Sequence, residues 1–180
     1  IFNLSKNQKL IYNDVRKFGF IKFVKKINLE QNLHLKNLGP EPLEKKFNFG
    51  YFKQYIINKN RTIKDILMDQ KFISGLGNIY VNETLFFSGI KPTKKVKNLS
   101  EREIRKIIKF TKRILSKAIV LGGSSIKNFS SDNGKKGLFQ QYFCVYGKKG
   151  EKCSKKSCVS NIIKIVISNR ATFYCDKCQK

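Results

Sequence analysis

Four cysteines in the C-terminal stretch restrict this chain more than any other feature: Cys153-x4-Cys158, sixteen residues, then Cys175-x2-Cys178. Each close pair spans a tight turn, and two such pairs brought together set four sulfurs around one centre. This is ligand spacing for a tetrahedral ion, and an all-thiolate set selects Zn2+ in a closed, structural site. Two disulfides are the alternative. The chain shows no secretory signal to support them, so metal is the expected reading. Between the pairs, Ile167 to Tyr174 has β character, which predicts a two-stranded hairpin. Cys144, the fifth cysteine, lies outside the pattern and reads as a small buried hydrophobe on a strand over 140–146.

A hairpin of this kind has too small a core to explain 180 residues with 38 Lys+Arg against 12 Asp+Glu, a formal net charge of +26. AT-rich coding raises Lys, Asn and Ile, but it raises Glu as well, and acids are scarce. The imbalance therefore points to a polyanion partner. With 15 Phe and 7 Tyr the chain is no disordered basic tail. No apolar run is long enough to span a bilayer, and no basic amphipathic helix with a lipid signal dominates, so no membrane partner is expected.

The middle of the chain carries helical patterning. Helices are expected over roughly 49–58 and 62–70, the second capped by Thr62. Leu67 to Glu83, LMDQKFISGLGNIYVNE, then reads as a helix end, a turn bent at Gly75 and Gly77 by positive φ, and a new helix opening near Asn78. The unpaired N–H groups of such an N-terminus suit a phosphate, and Asn78 adds a side-chain amide. Ile79, Leu85 and Phe86 are expected to pack inward. Ser100-x-x-Glu103 is a capping box that opens a long helix, with Ile104, Ile107, Ile108, Leu115 and Ile119 inward and Gly122–Gly123 ending it. Gly- and Ser-rich residues 128–139 form a loop. A Gly-x-Gly turn alone is a weak sign, and a plain helix connector reads equally well.

Upstream, residues 8–25 alternate and then run apolar, which predicts a β-hairpin with Tyr12 and Phe20 to Val24 as strand. Its turn, DVRKFG, joins cations to an aromatic, so Arg16 can reach phosphate or base while Phe18 can wedge into a stack. Phe18 packed in the sheet is the competing reading. Leu38-Gly39-Pro40-Glu41-Pro42-Leu43 cannot be helical throughout. His34, the lone histidine, has no ligand partner nearby and reads as structural. The chain opens without an initiator Met in what reads as the middle of a strand pair, and is expected to belong to a longer protein.

Taken together, DVRKFG, LGPEPL, LMDQK-x3-GLGNIY, GGSSIKNF and NRATFYCDKCQK resemble, in order, bacterial formamidopyrimidine-DNA glycosylase. The resemblance covers essentially all of the chain. It implies an α+β protein: 1–28 closing an N-terminal β-sandwich, 29–46 a linker, 47–128 a helix–two-turns–helix domain, 129–145 a lesion-capping loop and strand, and 146–180 a zinc finger on Cys153, Cys158, Cys175 and Cys178. It implies damaged double-stranded DNA as partner, a monomer, and a cytoplasmic, nucleoid-associated bacterial setting. Arg16 and Phe18 would fill the gap left by an everted base, while Val15 and Lys17 depart from the Pro and Arg usual there. Lys59, Lys71, Asn78 and Arg170 would hold the strand. Gly134, Lys135, Lys136, Gly137 and Leu138 would close over the lesion. Arg170 would also donate the proton in δ-elimination. The resemblance assigns excision of oxidised purines and β,δ-elimination to an N-terminal Pro-Glu pair with no counterpart here, so binding without excision is expected of these residues. Cys153-x4-Cys158 is longer than the commoner x2. A related oxidised-pyrimidine endonuclease and a non-catalytic zinc-ribbon nucleic-acid module remain the rival readings.

Overall fold

A computed structural model describes residues 1–14, 17–29, 31–124 and 137–180. The chain divides into two compact units, Ile1–Lys36 and Asn37–Lys180. In the first, β1 (Phe2–Asn3) pairs antiparallel with β2 (Lys9–Leu10), with Phe2 opposite Leu10. The expected strand over Phe20 to Val24 is absent: Phe20, Ile21 and Phe23 lie in non-ladder backbone and are exposed. Isolated strand pairs are marginal, and among the described residues of this unit none offers them a third strand. On either side of residues 15–16, which lie outside the described residues, the chain closes through Asp14. The Asp14 carboxylate accepts from the Gly19 N–H at 2.6 Å, and Lys17 takes a φ of 55°.

The second unit is built on helices: α1 (Phe49–Ile56), α2 (Ile63–Leu67), α3 (Asn78–Ser88) and α4 (Glu101–Val120). Local sequence sets their starts. Asn48 accepts from the Tyr51 N–H, Thr62 accepts from the Asp65 N–H, and Ser100 and Glu103 close a reciprocal capping box. α1 and α2 are shorter than their patterning suggests. α1 ends before Asn58, which takes a φ of 59°. Phe47, Phe52, Ile63, Leu67, Phe72, Leu76, Leu85 and Ile107 fill the core between them. Ile119 is the exception on α4, at 65% exposed, because it follows Ala118, the last inward contact, by one residue and so points about 100° away from it.

Gln70 shapes the turn between α2 and α3. Its side-chain oxygen accepts from the Gly75 N–H at 2.8 Å. Gly75 takes a φ of 73°, but Gly77 lies at −91° and serves instead as the N-cap of α3. The Pro-rich segment presses on this turn. A Cβ on Gly39 would lie 2.4 Å from the Phe72 carbonyl oxygen, so only glycine fits, and the Ser74 N–H donates to the Pro40 carbonyl.

β3 (Ile163–Ile167) and β4 (Arg170–Tyr174) form the expected hairpin, registered with Ile163 opposite Tyr174. Its turn residues Ser168 and Asn169 both have positive φ, the backbone of a type I′ turn. Residues 139–142 form a 3-10 turn rather than a strand. The reason lies on α3. Buried Glu83 accepts from the N–H groups of Cys144, Val145 and Tyr146 at 2.9, 3.0 and 2.9 Å, which curls this segment around one carboxylate. Burial pushes the Glu83 carboxyl above its usual range against those three donors.

Glu83→Ala would strand three N–H groups, that of Val145 buried and those of Cys144 and Tyr146 part-buried, each worth about 1–3 kcal/mol when unsatisfied. We expect it to lower stability by at least about 3 kcal/mol in urea unfolding, with Glu83→Gln losing less because it keeps an acceptor. Equal midpoints for wild type and Glu83→Ala would refute this role.

Candidate nucleic-acid interface and metal centre

Between α2, the Gly-rich turn and the tip of the β3–β4 hairpin lies a cleft of about 500 Å3. Lys64, Lys71, Arg61 and Arg170 line it, together with Asp65 and Asp69. Two carboxylates would repel an anion, but both are engaged. Asp69 pairs with Arg61 at 2.6 Å. Asp65 accepts from the hydroxyls of Thr62, at 2.7 Å, and Ser168. Burial pushes the Asp65 carboxyl upward, and the hydrogen bonds from Ser168 and Thr62 more than reverse this, leaving it below the usual carboxylate range. The Ser168 contact also ties the hairpin turn to the N-terminus of α2.

Lys64 is 1% exposed, an unusual position for an ammonium group. Its Nζ donates to the Asn78 Oδ1, and the Asn78 Nδ2 donates to the Ala171 carbonyl at 3.0 Å. This relay crosses from α2 through the start of α3 to the residue beside Arg170. Burial lowers the Lys64 pKa to about 7. Arg170 deepens the depression, while Asp65 opposes it. The cleft therefore contains a cation that is half-titrated near neutrality and that a phosphate would return to full charge.

The four C-terminal cysteines converge as their spacing predicts. All four Sγ atoms lie within 4.8 Å of one another, with Cys153 and Cys178 at 3.8 Å and Cys158 and Cys175 at 3.6 Å. Four thiolates at about 2.3 Å from a tetrahedral ion would be separated by about 3.8 Å, so the set fits such a centre. A disulfide needs about 2.05 Å, and all five cysteines are free. The Ser160 N–H and neighbouring thiols draw Cys158 down to about 7, whereas burial and those same thiols push Cys178 up to about 12. Without a cation, four adjacent sulfurs cannot all ionise. Cys144 stands apart, half-buried, with its thiol pushed up by burial.

The cleft brings together Lys71, Arg170 and, through Lys64, Asn78. Lys59 does not line it; its Nζ sits 4.5 Å from the centroid of the Tyr55 ring. Phe18, in the first unit, is 79% exposed, and Arg16 lies outside the described residues. Gly134, Lys135 and Lys136 also lie outside them. Gly137 and Leu138 mark where the chain returns. The Leu138 N–H donates to the Leu121 carbonyl at 2.9 Å, and a Cβ on Gly137 would lie 2.3 Å from the Gly123 oxygen. Both ends of the loop thus meet at the Gly122–Gly123 stop. Sequence reasoning placed Arg61 beside Lys59 at a phosphate-facing helix junction but missed Lys64 and Ser168. Lys64 had a faint signal, a lysine set among Ile63, Ile66 and Leu67 in a helix too short to have a polar face.

The titration of Lys64 has a definite sign. Between pH 7 and the ordinary value of 10.5, the unfolded chain holds a proton that the folded chain has lost. Stability therefore rises with pH across that window, by up to about 1.4 kcal/mol per unit, and the penalty of burial is fully present below it. Relative to Lys64→Met, the wild type should gain stability between pH 7 and pH 9 in urea titrations. A difference that stays constant with pH would show that Lys64 keeps its proton.

Known proteins match this chain along its length. Residues 38–130 match the formamidopyrimidine-DNA glycosylase H2TH domain. The chain is 44% identical over 180 residues to the formamidopyrimidine-DNA glycosylase of Rickettsia bellii, covering 100% of this chain and 65% of that protein. It is 41% identical over 179 residues to that of Bacillus subtilis, covering 99% of this chain and 64% of the relative. Among solved structures, the Lactococcus lactis enzyme in complex with DNA containing an abasic site aligns with a TM-score of 0.85 and 38% identity, over 93% of this chain and 60% of that one. The MutM protein of Thermus thermophilus aligns with a TM-score of 0.75 and 34% identity, over 81% of this chain and 55% of that one. The chain thus spans about 65% of the length of the first of these relatives, and it belongs to the formamidopyrimidine-DNA glycosylase family.

Proposed function

We propose that the chain is the DNA-holding part of a base-excision enzyme that removes oxidised purines, such as 8-oxoguanine and formamidopyrimidines, and nicks the abasic strand by β,δ-elimination. The observation that carries this is the cleft between the Gly-rich turn and the hairpin tip. Lys64, Lys71 and Arg170 come from separate stretches and meet there beside Asp69, which Arg61 pairs, and Asp65, which the Thr62 and Ser168 hydroxyls hold. A phosphate seated among them would accept charge-assisted hydrogen bonds, and Arg170 would stand at the strand's edge as the proton donor for δ-elimination. Arg16 and Phe18 would fill the space of an everted base, Lys59 would hold a neighbouring phosphate, and Gly134 to Leu138 would close over the extruded nucleotide. Complexes of relatives support this reading. The Lactococcus lactis protein was crystallised with abasic-site DNA and MutM with carbocyclic 8-oxoG DNA. We take the bound form to be a monomer on duplex DNA.

The Cys153, Cys158, Cys175 and Cys178 set would hold one structural Zn2+, which supplies folding energy to the hairpin and no chemistry. Purified protein should contain one zinc per chain by elemental analysis. Cys175→Ser should abolish it and unfold the hairpin, whereas Cys144→Ser should retain it; zinc lost from Cys144→Ser would refute the assignment.

These 180 residues have no match to the Pro-Glu pair that supplies the Schiff-base amine in this family. The proposed division is that they bind and the rest of the protein attacks the sugar. Duplex binding should therefore weaken with salt, and Arg170→Gln or Lys71→Gln should each reduce the slope of log K against log salt by about 0.9. Borohydride should trap no covalent adduct between the 180-residue chain and 8-oxoguanine DNA. Efficient trapping would mean that a lysine within the chain is the nucleophile.

A further inference from the structure

The outer face of α4 has no role in the cleft. Arg102, Arg105, Lys106, Lys109, Arg113 and Lys117 are all exposed on it. At about 100° per residue these positions fall within roughly 120° of the helix circumference, opposite buried Ile104, Ile107, Thr111, Ile114 and Ala118. The row runs about 23 Å along the axis, at about 1.5 Å per residue. Both acids of α4 are turned to cations elsewhere: Glu101 to Lys53 at 2.8 Å and Glu103 to Lys94 at 2.7 Å. Among the described residues, no carboxylate forms an ion pair with any of the six. Like charges three and four apart destabilise a helix, so this face stores a repulsion that an anion would relieve.

Arginine usage marks the same face. The chain has six arginines. Arg61 and Arg170 line the cleft and Arg16 lies on the DVRKFG turn; the other three, Arg102, Arg105 and Arg113, are all here. In so lysine-rich a chain, five of the six planar, stacking cations fall on two surfaces, the cleft and this face.

At the C-terminal end of the row, a pocket of about 190 Å3 opens between α3, α4 and the 3-10 turn Phe139–Tyr142. Phe87, Phe110, Phe139 and Tyr142 wall it, and Arg113 and Lys117 flank it. Phe87 stacks on Phe110 at 26°, with centroids 5.9 Å apart, and Lys117 Nζ lies 3.7 Å from the Tyr142 ring centroid. Phe87 and Tyr142 are nonetheless 42% and 46% exposed. Ring faces left to solvent beside cations make a stacking platform of the kind that receives unpaired bases. A base inside a duplex offers only its edge to the grooves and cannot use them.

We propose that the outer face of α4 and this aromatic pocket form a second nucleic-acid site, separate from the cleft, that takes single-stranded DNA. Phosphates lie along the six-cation row and one base stacks in the pocket. The two sites share no lining residue, so one chain can hold a lesion duplex in the cleft and a single strand on α4 together.

The test uses the 180-residue chain with a fluorescent oligo-dT of about 16 nucleotides, followed by anisotropy. The triple variant Arg102→Gln, Lys106→Gln, Lys109→Gln changes only exposed side chains. It should weaken oligo-dT binding about tenfold and reduce the salt slope by about 2, from about 0.7 per cation. Binding of an abasic-site duplex should stay within about twofold, which also reports an intact fold. Phe87→Ala should weaken oligo-dT binding with no change in slope. Lys71→Gln should weaken the duplex and spare the single strand, and saturating duplex should leave labelled oligo-dT bound. Stoichiometric displacement by the duplex, equal loss of both ligands in the triple variant, or tighter binding of oligo-rU than of oligo-dT would overturn the proposal. If the cleft does not bind duplex at all, oligo-dT binding and its loss in the triple variant still decide this site.

Discussion

The row of polar side chains buried on α3 is the constraint on which the rest depends. Half-buried Asn78 and buried Asn82 lie one turn apart, with buried Glu83 next to Asn82, on a helix buried almost all round, where apolar residues are the norm. Each points at a different piece of backbone. Asn82 Oδ1 accepts from the Phe173 N–H at 2.7 Å, Asn78 donates to the Ala171 carbonyl, and Glu83 gathers the N–H groups of three residues at 144–146. Buried polar groups stabilise only when partnered, so these bonds fix where the hairpin lies and exclude other placements. A purely apolar α3 would bind the hairpin's surface but would not set its register.

The same helix explains why a weakly polar cleft can be strongly basic in effect. Its first residue, Asn78, accepts a hydrogen bond from a buried lysine on one side and donates one to the hairpin on the other. Arg61 neutralises Asp69, and the Thr62 and Ser168 hydroxyls hold Asp65. The acids thus act as struts between elements rather than as charges presented to an incoming anion. Lys71 and Arg170 remain exposed at the cleft to meet it.

Much of this was legible in the sequence because it is encoded locally. Capping residues at 62 and 100, the Gly122–Gly123 stop and the Cys153–Cys178 spacing each act over a few residues, and each appears where expected. What escaped notice depends on contacts far apart in the chain. Residues 140–146 have strand composition, but Glu83, some sixty positions earlier, bends them into a turn. Lys64 looks like any surface lysine until Asn78 and the hairpin cover it. Phe20 to Val24 runs apolar like a strand, and among the described residues of its unit it has no ladder neighbour. The Gly75–Gly77 turn divides along the same line: Gly75 has the positive φ that a bend requires, while Gly77 is set by the helix it begins.

Three fixed points determine where Arg170 stands. At the base of the hairpin, four sulfurs within 4.8 Å hold the ends of its two flanking loops together. Midway, Asn82 and Asn78 bind β4 to α3. At the tip, Ser168 reaches Asp65 across the cleft, holding a serine at a φ of 47° that few residues other than glycine adopt readily. Arg170 lies opposite Ile167 at the last rung before this turn, one residue from the Ala171 bond. Disrupting the sulfur cluster releases only the base. The α3 bonds and the Asp65 tether would still bias the tip toward the cleft, but a short β-ribbon held at one side has little stability of its own. A metal held by the four sulfurs would therefore act on Arg170 at a distance, by keeping the ladder formed over which α3 and Asp65 set the arginine's position.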